Sequence, residues 1–487
     1  MHHLNRLGVI CTMLIGLALP GTRTVAQAPT QAPPPTPIQA PAQTPAPSSA
    51  QNSVTLPIGP LTLKQCLQYA LQNNQQIAIT RFNERTGQEK INETRAQALP
   101  QVNATGSLQD NIQKQVLVLP PALAASFGAK GPIPISLTYQ VMAQGTLSQQ
   151  LYNQSVFTAL KAAKAGMDYY TMNTALTQTQ VIEQVSQLYY RLQVTQTQVG
   201  TLDSNIYNIS KVMESTQAQF NNGLARKIDV DRLKVNLTNL NTQRSSLLDS
   251  ITQQGYQLRY AMGMQLDQPL ALLPFVSEQV ENDIGLRVQL DSGLNLSKRL
   301  EYMIYKKEAE LEGYQKKANK AEYYPSLAFN GNYSTNGVSD NFDFIGHGTT
   351  AIWYQVGYIS LNLTIPIYDG GARRSRVHQA QIAIDQYNKQ AEQASLQLDV
   401  DYRDSKINLQ NSINTIRAQK ENKDLATEVY EVTRSNYQQG LSGLTDLLDA
   451  ENSLLVAENN YNSALLQYKL AEIGLIKANG NLNTLLN

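Results

Sequence analysis

Charge is scarce in this chain: 16% of its residues are Asp, Glu, Lys or Arg, and the formal net charge is +1. Without a basic excess there is no electrostatic footprint for nucleic acid. Cysteine is scarcer still, limited to Cys11 and Cys66. Cys11 lies in an N-terminal apolar run and lacks the small residues that precede a lipidated cysteine. With that run removed, Cys66 stands alone, so no internal disulfide is available. Histidine is confined to His2, His3, His347 and His378, and no Cys or His cluster has metal-ligand spacing. Nucleophile elbow, paired-carboxylate cleft and phosphate-cradling loop are all missing, and Asp343 to Thr350, with Gly346 and Gly348, reads as a plain loop. These absences point away from an enzyme and imply no cofactor. Beyond the N-terminus, no apolar run reaches the roughly 18 residues of a spanning helix, so any membrane crossing falls to strands.

What is present begins with Arg6, an apolar run from Leu7 to Leu19 and the small-x-small site Ala26-Gln27-Ala28. This order predicts a secretory signal over 1–28. From Pro29 the chain is Pro, Ala, Gln and Thr without apolar periodicity, an extended spacer over 29–60. Polarity comes mainly from Gln, Asn, Ser and Thr, and 25 Tyr outnumber 8 Phe and 1 Trp.

The remainder repeats itself. Leu99-Pro100 followed by Val102, Ala104, Gly106 and Leu108 matches Tyr324-Pro325 followed by Leu327, Phe329, Gly331 and Tyr333. Leu147 to Asn153 matches Leu363 to Asp369, and Phe220 to Leu224 matches Tyr437 to Leu441. The offset drops between the first anchor and the second, which predicts an inserted loop between Ile112 and Pro134. The repeats are placed at 61–285 and 286–487.

Each repeat predicts two strands followed by long helices. Val102–Leu108, Leu137–Leu147, Leu327–Tyr333 and Trp353–Ile367 alternate with period two. Four strands are too few to close a conducting barrel, so oligomerisation is implied. From Asn153 to Asn221 there is no proline, and a helix of that length extends roughly 100 Å. Leu233, Leu237, Leu240, Leu247, Ile251 and Leu258 make one coiled-coil seam. The segment after Gly440 carries two, one through Leu447, Leu454, Tyr461, Leu465, Tyr468 and Leu475 and the other through Leu444, Leu448, Leu455, Leu466, Leu470 and Ile473. Two stripes on one helix require neighbours on both sides.

From Leu61 to Leu485 these pieces resemble the TolC-type outer-membrane efflux protein family. The likeness is carried by the opening Leu61 to Asn74, by Leu99-Pro100 before a strand, by Ile365 to Gly371, and by the twin Gly-Leu turns. The resemblance implies a mainly α chain with a membrane β-barrel. Its homotrimer builds a twelve-strand barrel, four strands per chain, continued by a long α-helical barrel through the periplasm. It further implies an outer-membrane exit duct for tripartite efflux or type I secretion, docked to a periplasmic adaptor and an inner-membrane RND or ABC pump. Two positions depart from the family pattern, since no proline follows Asn73-Asn74 and Leu300 stands where proline is usual.

By the same resemblance Gly223, Leu224, Ala225, Gly440, Leu441 and Ser442 form the periplasmic tip turns that meet the adaptor, although glycine has a sufficient structural reason there. Asp446 and Asp449 match the acidic positions lining the tunnel entrance, where three copies would make two carboxylate rings that favour cations. An acidic first helical turn is the alternative reading. Asp229 and Tyr437 match the carboxylate and phenol that latch the tip, with an N-cap as the alternative for Asp229. Ser442 replaces the family's basic gate residue. A competing class, a periplasmic coiled-coil adaptor or spacer, would keep the helices but has no use for alternating strands.

Overall fold

The computed structural model describes residues 59–120, 123, 126, 128, 131–278, 280–281, 293–344 and 350–486. The signal segment, nearly all of the 29–60 spacer, most of the tip of the inserted loop and residues 345–349 lie outside the described residues. Helix α1 (Leu63–Asn73) leads into α2 (Gln75–Ala96), strands β1 (Gln101–Asp110) and β2 (Tyr139–Tyr152), and helices α3 (Gln154–Asn221) and α4 (Lys227–Met262). The second repeat follows with α5 (Leu300–Ala321), β3 (Ser326–Ser339), β4 (Ile352–Thr364), α6 (Ala372–Gln438) and α7 (Leu444–Ala478). Among the described residues no helix is long and apolar enough to cross a membrane.

The four strands form one antiparallel sheet in the order β1-β2-β3-β4. Pro100 and Pro325 stop α2 and α5 and turn the chain into β1 and β3. At the far ends of β2 and β4, Asn and Asp side chains restart the helices. Asn153 accepts from Ser155 N at 3.0 Å, and Asp369 accepts from Arg373 N at 2.8 Å. All helices therefore leave the sheet at one end. At the other, Asp340 accepts from Lys114 Nζ at 2.5 Å and Thr138 Oγ1 at 2.9 Å, fastening the inserted loop to the second hairpin.

Strand limits differ from those read off the apolar alternation. β4 ends at Thr364, because Pro366 has no N–H for a ladder. β3 runs on to Ser339 through polar residues whose ladder bonds are completed by β2 and β4. Within the inserted loop Val116–Leu117 pairs with Ile133–Pro134 as a short ribbon.

The long helices, 68 residues in α3 and 67 in α6, are unbroken, whereas each packs against two shorter helices placed end to end. In the first repeat α2 abuts α4. Asn74 caps α2 by accepting from Gln76 N at 2.8 Å and Ile77 N at 3.2 Å, and its Nδ2 donates to Ala261 O at 2.7 Å at the end of α4. In the second, α5 abuts α7. Buried Arg299 donates to Ala478 O at 2.8 Å and pairs with Glu301. The two departures from the family pattern thus fall at these joints: Gln75 and Leu300 open α2 and α5, where proline would have preset φ.

The largest apolar core surrounds the first joint. Leu67 and Ile77 pack with Val185 and Leu192 of α3 and Leu258 and Met262 of α4. The two stripes of α7 divide as expected. Tyr461, Leu465 and Tyr468 meet Leu409, Ile413 and Ile416 of α6, while Leu444 and Leu455 meet Leu202, Ile209, Leu233 and Leu240 of α3 and α4. Cys66 is fully buried in the first core, and burial pushes its thiol up to about 12, a packing residue with no thiolate to offer at neutral pH.

Glycine sets the close approach at the first joint. Gly263 holds φ +74, and a Cβ there would stand 2.2 Å from Asn73 O. Gly370 has a similar φ of +67 with open space around it. Gly370→Ala is expected to cost about 1–2 kcal/mol, the strain of a left-handed residue alone. Gly263→Ala is expected to cost clearly more, measured as a larger drop in thermal unfolding midpoint. Equal drops would remove the steric account of the joint.

Candidate functional site

Strand register sorts the sheet into two faces. On one, Val102 pairs with Leu147, Leu108 with Val141, Gly331 with Ile359 and Phe329 with Leu361. On the other, Asn103 pairs with Thr146, Thr146 with Asn332 and Asn332 with Tyr358. The first face is apolar and open, with Val102 76% and Ile359 79% exposed. Glycine opposite an aromatic ring keeps it smooth: a Cβ on Gly337 would meet the Trp353 ring at 3.0 Å, and one on Gly357 would meet Tyr333 at 3.3 Å. On β3 the polar face is the more buried one. Ser334 and Asn336 are each 6% exposed, whereas Tyr333, just before Ser334 and on the apolar side, is 56% exposed.

Aromatic rings gather at both ends of the apolar face. At the loop end Tyr139, Phe342, Phe344 and Trp353 form an edge-to-face series with centroid spacings of 5.6, 5.9 and 6.1 Å. At the helix end Tyr152, Phe157, Tyr324 and Tyr368 are exposed. Two aromatic girdles flanking an apolar band mark the water–lipid boundaries of a transmembrane barrel wall. A single four-strand sheet leaves the outer edges of β1 and β4 unpaired. Each orphan backbone group in hydrocarbon costs several kcal/mol, so the edges must close on other strands.

At the opposite end of the molecule the two helical hairpins turn in the same way. Gly223 and Gly440 hold φ +75 and +73. Leu224 N donates to Gln219 O at 2.8 Å and Leu441 N to Asn436 O at 2.8 Å, a 6→1 closure that satisfies a terminal carbonyl in each hairpin. The closure forces the next side chain outward: Leu224 is 80% and Leu441 74% exposed. Ala225 is half-buried. Ser442 Oγ donates back to Thr433 O at 3.2 Å, bracing the turn against its own helix.

Asp446 and Asp449 are both exposed on α7. Asp446 accepts from Gly443 N at 3.0 Å, so it also serves the helix start. Asp229 is not an N-cap. The cap position is Arg226, and Asp229, in the first turn of α4, receives its guanidinium at 3.0 and 3.2 Å. Within one protomer Asp229 and Tyr437 are therefore not joined to each other. Tyr437 instead meets Thr216 at 3.1 Å, linking α6 to α3. Thr216 already gives its proton to Val212 O at 2.9 Å, so the phenol is the donor.

Arg232 was not singled out by sequence. Its Nη1 donates to Thr445 Oγ1 at 2.8 Å, tying α4 to the start of α7 beside Asp446. Its spacing of three from Asp229 placed both on one helix face, but nothing in the sequence says which helix lies opposite. Glu451 was also missed. It is buried beside a cluster of Tyr430, Leu447 and Ala450 that Tyr437 packs against, with Oε1 unpartnered. Burial pushes its carboxyl up to about 8, against the pull of Arg434. Among the described residues no group of His, Cys, Asp and Glu is placed to hold a metal ion.

A folded-state pKa above the ordinary value means that Glu451 favours packing while protonated. Its contribution is intact below the usual carboxylate range and is lost as pH rises to about 8. Stability of the tip helices, followed by hydrogen exchange between pH 5 and 9, should fall with pH in the native chain and be flatter in Glu451→Gln. Parallel curves would remove this assignment.

Comparison with known proteins follows the same lines. The family model described as Outer membrane efflux protein matches residues 66–264 and 278–481. The outer membrane protein TolC of Vibrio cholerae serotype O1 is 23% identical over 428 residues, spanning 86% of this chain and 91% of that protein. TolC of Salmonella enteritidis is 22% identical, spanning 86% and 82%. Among solved structures, the outer membrane protein VceC from Vibrio cholerae superposes with a TM-score of 0.63 at 16% identity, covering 86% of this chain and 96% of that one. The open state of the MtrE outer membrane channel of Neisseria gonorrhoeae gives 0.63 at 18% identity, covering 86% and 89%.

Proposed function

This chain belongs to the outer membrane efflux protein family, and from that membership we propose that three copies of it form an exit duct fed from the periplasm. It is an outer-membrane channel with a periplasmic extension, and its relatives are channels of tripartite efflux systems. The observation that carries the reading is the four-stranded sheet, apolar on one face, polar on the other and open at both edges. Three such sheets joined edge to edge give twelve strands, enough to enclose a lumen.

Side-by-side packing of copies is supported by a seam on α6 that its own protomer leaves uncovered. Leu396, Val400 and Ile407, then Leu425, Val429 and Val432, are each at least half exposed at coiled-coil spacing. The family match in two segments supports the division into repeats near residue 285. Exposed Leu224 and Leu441 at the twin turns support docking of a periplasmic adaptor, through which an inner-membrane pump of RND or ABC type would deliver cargo. The competing reading as a periplasmic adaptor finds no support in the family match.

At the tip, Asp446 and Asp449 would stack as carboxylate rings in the trimer. Closure within each protomer rests on Tyr437 to Thr216 and Arg232 to Thr445, so Arg232 supplies, from the other hairpin, the basic group that Ser442 lacks. Asp229 holds Arg226 and steadies the turn between them.

The channel is tested by reconstituting the trimer purified from outer membranes into planar bilayers. A soluble monomer without detergent would sink the reading. Tyr437→Phe combined with Arg232→Ala is expected to raise single-channel conductance several-fold by loosening the tip; unchanged conductance would dismiss these two links as a gate. Asp446→Ala with Asp449→Ala is expected to lower cation preference, read as a reversal-potential shift towards zero under a salt gradient; an unshifted potential would dismiss the rings.

A further inference from the structure

The polar face of the sheet has a property that the channel reading does not require. Across β1, β2, β3 and β4 the only Asp, Glu, Lys, Arg or His is Asp110. Asp110 pairs with Tyr139 at the loop end, in the alternation of the apolar face. Just beyond the strands the Lys114 ammonium is matched by Asp340, while the Asp343 carboxylate, hydrogen-bonded by Thr350 and Ser339, keeps its charge outside the strand wall. The polar face itself is built of rungs such as Asn103, Thr146, Asn332 and Tyr358, and Gln101, Ser148, Asn330 and Ser360.

A fixed charge on this wall would be repeated in every copy and focused by the low-dielectric barrel around it. None is there. Amides and hydroxyls both donate and accept, so they replace hydration water around a cation through their oxygens and around an anion through their N–H and O–H groups. On the premise that this face lines the barrel, we infer that the strand-lined part of the duct is electrically neutral: it lets cationic, anionic and uncharged polar solutes leave alike, and charge selection is made upstream in the helical part.

Cysteine labelling tests this on the whole trimer in planar bilayers, because Cys66 is buried and gives little background. Asn332→Cys lies on the polar face and Tyr333→Cys, one residue on, on the apolar face. Cationic and anionic methanethiosulfonates of matched size are applied from the loop side. Their rate ratio cancels the thiol's own reactivity. At Asn332→Cys the two rates, referred to those on a free thiol, should agree within about threefold, and Tyr333→Cys should react with neither. Adding Asn330→Asp to Asn332→Cys should slow the anionic reagent relative to the cationic one by roughly tenfold, which shows that the assay senses a field. A tenfold or larger imbalance at Asn332→Cys without the added Asp would overturn neutrality while leaving the barrel intact. Labelling of Tyr333→Cys with protection of Asn332→Cys would overturn the assignment of faces, and the inference with it. Should Asn332→Cys fail to assemble, Thr146→Cys on the same rung gives the same readout.

Discussion

Backbone hydrogen bonding in hydrocarbon is the constraint on which the whole molecule turns. A sheet of four strands has two edges, and lipid offers those edges no partners. The chain can neither bury the sheet against a layer of its own nor blunt the edges with charge, since β1 and β4 carry exposed apolar side chains along their length. Closure with other copies is the remaining solution. Once copies sit side by side in a ring, the helices descending from each sheet also stand side by side, and the uncovered seam of α6 acquires a place.

The helical part solves a second problem, that of length. One helix spanning the distance from sheet to turn needs a neighbour of equal reach, but each partner starts or ends at the sheet on the wrong side of a chain reversal. Two short helices set end to end supply the missing neighbour. Their junction exposes helix termini in the middle of a wall, and the orphan groups there are met by Asn74 in one repeat and Arg299 in the other. An amide and a guanidinium fill the same role by different chemistry, which is why the two joints are invisible as a repeated motif.

Much of this was legible beforehand. Alternation located all four strands and the double stripe on α7 required a neighbour on each side, because each signal is a period imposed by burial or by lipid. Strand ends were less legible: β3 continues through Ser334 to Ser339, where ladder bonds rather than side-chain pattern hold the strand. The tip was read least well. Asp229 reads as a latch carboxylate or an N-cap; the cap position is Arg226, three residues away, and its guanidinium is held by Asp229. Thr216 and Arg232 carry the contacts between helices, and such contacts depend on which faces meet across about 220 residues of chain. Glu451 is a polar residue inside an apolar stripe, and pattern alone cannot separate that from a solvated position.

The contrast between unbroken and jointed helices has a mechanical consequence. α3 and α6 run unbroken from the sheet to the tip turns, while α4 and α7 meet α2 and α5 across breaks that Asn74 and Arg299 bridge and, at the first joint, an apolar core encloses. At each joint the helical hydrogen-bond ladder is broken, so no continuous ladder runs from α4 into α2 or from α7 into α5. The unbroken ladders of α3 and α6 are thus the backbone paths by which a load on the tip turns reaches the sheet directly.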